Sequence, residues 1–363
     1  MKPENFSPAP QKMEVASGYK IAAHRDKVLA YLRGEAIFPV SLELDLTSRC
    51  SRTCFDCPST RAREHWELSE EFVGRLFAIL GGRVPGLLLT GGEPTISPLF
   101  AGTLALARER GFRNIAVVTN GSHLDQDDVR EALLTHASTI RVSLYDWEET
   151  VCAGAESMFK RLEALRRLIN SRRSPLRIGV SALTSTKRLG RLRMLVEAAV
   201  VSGVHWVYFH PRCSHWNKGR PQPEEQSGVI DEIDRLREEF SERIEIDVSV
   251  QRYQDFPLNF SSYHAAHFLM VVGADRKNYL GAEVKYHPDF TIADLGNGLG
   301  DDFLWDAARM KRIADHHSGN YRAMGSRHRG VLYNDLIERL KQQDPEAERI
   351  LNAPPLFRYP HIL

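Results

Sequence analysis

The sequence predicts an α/β protein whose core is a parallel sheet with crossover helices, closed or partly closed as a barrel. Three observations carry that prediction. Six short strand-like runs follow one another between Pro39 and Phe209. Helix-periodic segments separate them, joined by short connections. The chemically unusual residues stand just after the strands, where barrels of this kind build their active sites.

The elements read as follows. Residues 1–22 look loosely ordered, and the polar start with three prolines in Met1–Gln11 is neither a signal nor a transit peptide. His24–Arg33 predicts a short helix, so residues 1–37 form an N-terminal segment. Pro39–Thr47 alternates, with Val40, Leu42, Leu44 and Leu46 on one face of a strand. A helix begins at about Ser69, its N-cap, with Phe72, Leu76, Phe77 and Leu80 at helical spacing. Strands follow at Gly86–Thr90, Ile115–Thr119, Thr139–Leu144, Arg177–Leu183 and Val204–Phe209. Helices lie between them at Leu99–Arg110, Asp125–Leu134, Ser157–Ser171 and Lys187–Ser202. Glu224–Glu242 reads as helix and Ile244–Val250 as strand, closing a core over residues 38–250. Residues 251–363 read as a carboxyl-terminal α+β extension covering the barrel mouth.

The 363 residues are 42% hydrophobic and 26% charged, ordinary for a soluble protein with a substantial core. A formal net charge of +1 gives no bulk case for nucleic acid or an anionic membrane. No apolar run approaches the ~20 residues that span a bilayer. Cytoplasmic residence is the default expectation. Of five cysteines, three fall within eight residues, which points to metal rather than to disulfides.

Those three, Cys50, Cys54 and Cys57, share one loop after the first strand. Thiolates are the usual ligands of iron–sulfur clusters. Three of them on a four-iron cubane leave one iron open, as in catalytic metal sites that keep a vacant position. Zinc with a distant fourth ligand and a Cys54–Cys57 redox pair are the alternatives. A ferredoxin would want a fourth cysteine close by. After the second strand come Gly91, Gly92, Glu93 and Pro94. Glycines there let backbone carbonyls approach a ligand ammonium, Glu93 adds charge and Pro94 fixes the turn. Alone, the tetrapeptide would equally be an ordinary strand-to-helix turn.

Cys-x3-Cys-x2-Cys after a first strand, followed by Gly-Gly-Glu-Pro after a second, resembles the radical S-adenosylmethionine (SAM) superfamily over roughly residues 38–215. The resemblance implies a partial (β/α)6 radical SAM barrel. It implies one [4Fe–4S] cluster on Cys50, Cys54 and Cys57, with SAM chelating the open iron through its amino and carboxylate groups. Gly91, Gly92, Glu93 and Pro94 match the motif that grips the SAM amino group. Asn120 falls near the substrate and ribose, Ser143 matches a serine that contacts SAM, and Ser181 and His210 join the cofactor side. Asp146 is either a further polar contact or a helix N-cap. Asp56 stands where the family often has an aromatic residue, with Phe55 one place earlier, which bears on how the adenine edge packs.

Cys213 ends the sixth strand region, where its thiol could return a hydrogen atom to a substrate radical, or simply pack. No cysteine follows it, which implies a single cluster and no inbuilt electron relay. Tyr145, Tyr279, Glu283 and Lys285 are the candidate substrate contacts. Glu283 and Lys285, two apart, would share a face in a strand. The expected function is hydrogen abstraction from a small polar metabolite (a sugar, aminoglycoside or nucleoside) in natural-product biosynthesis. Epimerisation, decarboxylation, dehydration or rearrangement would follow. The expected partners are that small molecule and an external one-electron reductant such as flavodoxin or ferredoxin, with no nucleic acid and no membrane. The alternatives are a peptide-modifying enzyme of the same superfamily and a non-enzymatic iron–sulfur or zinc scaffold.

Overall fold

The alternation of Leu42 and Leu44 with Ser41, Glu43 and Asp45 builds β1 (Ser41–Asp45), a strand buried on both faces. This computed structural model describes residues 19–54, 57, 59, 62, 64–145, 155–185, 189–211, 228–248, 253, 258–296, 298–321, 329–353 and 357–363. Six more strands follow in chain order: β2 (Gly86–Thr90), β3 (Asn114–Thr119), β4 (Thr139–Ser143), β5 (Arg177–Thr184), β6 (Trp206–Pro211) and β7 (Glu245–Val248). Each pairs in parallel with the one before it. A short helix α1 (Arg25–Leu32) precedes β1. The crossovers are α2 (Glu70–Leu80), α3 (Phe100–Glu109), α4 (Asp127–His136), α5 (Ala155–Arg172), α6 (Leu189–Val201) and α7 (Val229–Glu239). Ser69 caps α2 as expected, its hydroxyl accepting from the Phe72 N–H at 3.2 Å.

The architecture is the α/β partial barrel with a C-terminal α+β extension that the sequence predicts. Two details go beyond the prediction. The Ile244–Val250 run supplies a seventh parallel strand. The extension adds β8 (Leu269–Val272), β9 (Lys277–Tyr279) and β10 (Thr291–Asp294) at the opposite edge, giving the order β10-β9-β8-β1-β2-β3-β4-β5-β6-β7. An open barrel leaves one side of β1 unpaired, and β8 satisfies that edge by pairing with it in parallel. The extension therefore widens the sheet beside β1 as well as approaching its C-terminal end. Helices α8 (Ala307–Asp315), α9 (Arg329–Lys341) and α10 (Pro345–Asn352) complete it. Among the described residues no helix is long and apolar enough to cross a membrane.

Strand parity sorts the side chains. Leu42, Leu44, Val117, Val142, Val180 and Phe209 join Phe72, Leu76 and Phe77 in the main core, against the helices. The opposite, inner face carries Glu43, Asp45, Arg141, Ser143, Ser181, Tyr208, His210 and Asp247. A second core gathers Val271, Tyr279 and Tyr286 of the extension with Val28 and Leu336. At the N-terminal ends of the strands, residues 357–363 are tied down by Lys20, whose ammonium donates to the carbonyls of Ile362 (2.9 Å) and Tyr359 (3.3 Å).

Candidate active site

The loop carrying Cys50, Cys54 and Cys57 leaves the C-terminal end of β1. It is held from beneath by Gly91 and Gly92. The Gly92 N–H donates to the Thr47 carbonyl (2.9 Å) and the Glu93 N–H to the Arg49 carbonyl (2.8 Å). A Cβ on Gly91 would stand 2.6 Å from the Thr47 oxygen, and one on Gly92 would drive into the Arg49 carbonyl. Gly91 also has φ +121, a conformation that favours glycine. The glycine pair is thus required by the cysteine loop itself, a closer reason than the approach of a ligand. The Gly91 carbonyl accepts from the Ser59 hydroxyl at 2.7 Å, which fastens the far side of the same loop.

Glu93 is fully buried. Its Oε1 accepts from the hydroxyls of Thr95 (2.6 Å) and Thr119 (2.7 Å), and its Oε2 from the Asn120 N–H (2.6 Å). These charge-assisted bonds tie the end of β2 to the end of β3. Asn120 then reaches the cysteine loop: its Nδ2 donates to Ser51 Oγ (3.0 Å) and lies 3.6 Å from Cys50 Sγ. Pro94 is buried at the start of a short 3-10 turn, Pro94–Ile96. The sequence singled out Gly91, Gly92, Glu93, Pro94 and Asn120, and the fold brings all five against the cysteine loop. Thr119, which opens the same Thr119-Asn120-Gly121 motif, helps hold Glu93 through its hydroxyl.

The other strand ends form a row. Ser143 pairs in register with Ser181, Ser181 with Tyr208, and Tyr208 with Asp247. Val180 packs into the helix-facing core, and Ser181, on the alternate face of the strand, points inward. Its Oγ is buried without a hydrogen-bond partner. That absence holds among the described residues; buried hydroxyls are nearly always bonded to protein, water or ligand. Above it, the His210 ring stacks on Tyr208 (5.2 Å) and meets Tyr145 edge-on (5.7 Å). Arg141 lies below, its guanidinium 5.9 Å from the Tyr208 ring centre. Arg141, Tyr208 and Asp247 were missed from sequence; counting alternate residues back from Ser143 would have found the first. Cys213, Asp146, Asp56 and Phe55 lie outside the described residues.

The three extension residues separate. Lys285 is buried and bridges Asp45 (2.7 Å) and Glu43 (3.0 Å) on the inner face of β1. Tyr286 donates to the second Asp45 oxygen (2.8 Å) and stacks on Trp66. Burial works against the Lys285 charge, but Asp45 and Glu43 outweigh it and hold the ammonium above the ordinary lysine range. Burial pushes Asp45 up and the neighbouring Glu43 carboxylate adds to it, against the opposing pull of Lys285. Glu283 instead accepts from Tyr263 (2.6 Å) and Tyr321 (2.5 Å), and Tyr279 donates to Asp275 (2.5 Å). The expectation that Glu283 and Lys285 share a strand face is corrected. Residues 282–284 form a 3-10 turn, which sends the two side chains to different neighbours.

Three soft sulfur donors on one loop, with no fourth cysteine beside them, fit an iron–sulfur cluster in kind and number. Among the described residues, no three His, Cys, Asp or Glu side chains stand at the spacing of a preformed metal site. Residues 44–189 match the radical SAM superfamily model. No curated protein sequence matches the chain. SuiB of Streptococcus suis bound to S-adenosylmethionine superposes with TM-score 0.60 at 15% identity, over 80% of this chain and 71% of SuiB. SuiB bound to its precursor peptide SuiA gives 0.61 at 12% identity, over 92% and 81%. Native anSMEcpe with bound AdoMet gives 0.55 at 11% identity, over 86% and 99%. At such identities these likenesses are of fold. Residues 44–189 thus carry a radical SAM domain, which marks an enzyme and implies an iron–sulfur cluster and SAM.

Proposed function

We propose that Cys50, Cys54 and Cys57 hold a single [4Fe–4S] cluster and that the enzyme abstracts hydrogen from a small polar metabolite such as a sugar, aminoglycoside or nucleoside. The observation that carries this reading is the polar inner row of Ser143, Ser181, Tyr208 and Asp247, with the unpartnered Ser181 hydroxyl in its midst. The cluster, when bound, supplies the electron that splits SAM to methionine and a 5′-deoxyadenosyl radical, the hydrogen-abstracting species. The residues of the chain do the rest. Gly91 and Gly92 seat the cysteine loop, and Glu93 locks it to β3. Asn120 donates toward Cys50, and hydrogen bonds to cluster sulfurs tune reduction potential. Backbone groups of Gly91–Pro94, with Asn120, Ser143, Ser181 and His210, bind SAM, Tyr145 closes over His210, and Lys285 orders the β1 wall. Cys213 is the candidate donor that returns a hydrogen atom to the product radical. A cytoplasmic setting and a flavodoxin or ferredoxin as electron donor belong to the same reading.

The test is anaerobic turnover with dithionite, SAM and deuterated candidate metabolites. Deuterium should appear in 5′-deoxyadenosine with the true substrate. Cys213→Ala that turns over fully to the same product removes the donor role. A second reading, a peptide substrate, is supported by SuiB, whose structure was solved with its precursor peptide SuiA. Deuterium transfer from a peptide, with none from any polar metabolite, would move the assignment to it.

A further inference from the structure

A cavity of about 400 Å³ opens at the end of the molecule remote from the cysteine loop. Its walls come from residues 34–39, just before β1, from Ser262–His267, just before β8, and from α8 and the end of α9. It therefore lies at the N-terminal ends of β1 and β8. A five-residue strand at about 3.3 Å per residue puts roughly 17 Å between it and the loop after β1. A hydrogen-abstracting radical acts at contact distance, so an occupant here is not the substrate of that chemistry.

Tyr31, Ile37, Leu304, Trp305 and Met310 make the walls largely apolar and aromatic. Against them stands a buried cation, Arg309, with no carboxylate in direct contact among the described residues; Asp306, the cap of its own helix, acts on it only from further off. Arg309 is buried, with Nε donating to Asn278 Oδ1 (2.9 Å) and its terminal N–H groups to the carbonyls of Leu304 (2.5 Å) and Ala266 (3.2 Å). All three acceptors are neutral, and among the described residues no carboxylate lies within 4.0 Å of the guanidinium. Buried charges are normally paired, and a guanidinium has five N–H donors. Lys341 lines the same cavity, its ammonium 3.2 Å from His264 Nε2. The nearby carboxylates are already engaged: Glu338 by Ser261 and His264, Glu35 by Arg33 at the surface. His267, its ring tilted against Tyr31 at 4.8 Å, is pushed down to about 3 by burial and by Arg309, so it offers a neutral imidazole.

We propose that this cavity is a second ligand site, for a small aromatic carboxylate whose ring packs against Tyr31 and Trp305 and whose anion is met by Lys341 and Arg309. It is an effector site, separate from the radical centre.

Calorimetric titration of the anaerobically reconstituted holoenzyme tests it, with phenylacetate as probe and phenylacetamide as its neutral counterpart. Phenylacetate should bind saturably and about tenfold more tightly than the amide. Lys341→Met should weaken it several-fold. Met310→Trp, which fills the cavity, should abolish it while 5′-deoxyadenosine formation from SAM and dithionite stays unchanged. Equal affinity for acid and amide, undiminished binding in Met310→Trp, or no saturable binding at millimolar concentration would each overturn the proposal.

Discussion

Over β1, β8 and β9 the protein fills the inner face of its own sheet. Lys285, Tyr286 and Trp66 cover Glu43 and Asp45, and the charges are paired within the chain. Over β4 to β7 the same face is lined by Ser143, Ser181, Tyr208 and Asp247, and one buried hydroxyl waits for a partner. Both halves are polar and both are buried, so polarity alone does not mark a binding site. The difference is where the complementary groups come from. On the β1 side they arrive from an extension some 240 residues away along the chain. On the β4–β7 side no such group reaches the Ser181 hydroxyl among the described residues.

Lys285→Met attacks the closed half and should have the largest effect. It leaves two buried carboxylates without their cation, a loss of about 3–5 kcal/mol. Chemical denaturation measures it, and the triple change with Glu43→Gln and Asp45→Asn should recover much of the loss. An unchanged midpoint would mean the pairing is not what closes that half.

Acid should loosen both halves next, since His205 between β5 and β6 is held down to about 4 by burial and Arg166, and histidines on the other side are held down too. His24, against the Pro360 carbonyl, is held down to about 4 by burial, and His267 to about 3 by burial and Arg309. Both are neutral in the folded protein and protonate on unfolding below their ordinary 6.5. Stability is therefore full above pH 6.5 and falls as pH drops toward 4, by at most about 1.4 kcal/mol per unit from each. Amide exchange at pH 5 should open the extension, residues 357–363 and the starts of β5 and β6 together.

Gly92→Ala tests the boundary between the halves. The added methyl meets the Arg49 carbonyl, so iron incorporation should drop by about tenfold, at roughly 1–3 kcal/mol of stability. Full iron loading in this variant would show that the loop can seat itself elsewhere. Ser181→Ala should do least to the fold, within about 0.5 kcal/mol. The KM for SAM in uncoupled 5′-deoxyadenosine formation should then rise three- to tenfold, the worth of about one hydrogen bond. A loss of stability instead would make Ser181 part of the packing.

Much of this was legible in the sequence because it is local. Gly86–Thr90 is a short apolar run that ends in Gly91-Gly92, and β2 has those limits. Ser69 caps the helix it was expected to cap. The cysteine spacing and the Gly-Gly-Glu-Pro turn were visible as motifs. What stayed hidden depends on distant partners. Glu43 and Asp45 look like the solvent face of a strand until Lys285 is placed over them. β8 to β10 run only three or four residues each, too short for a period to register. Glu93 reads as a ligand-facing charge, whereas its oxygens are taken by Thr95, Thr119 and Asn120.

The interlock of residues 47–49 with Gly91 and Gly92 has a practical corollary for protein engineering. Transplanting the cysteine segment alone onto a related scaffold would strand it without its footing. A working chimera has to carry both stretches together, along with the glutamate that staples them to the next strand.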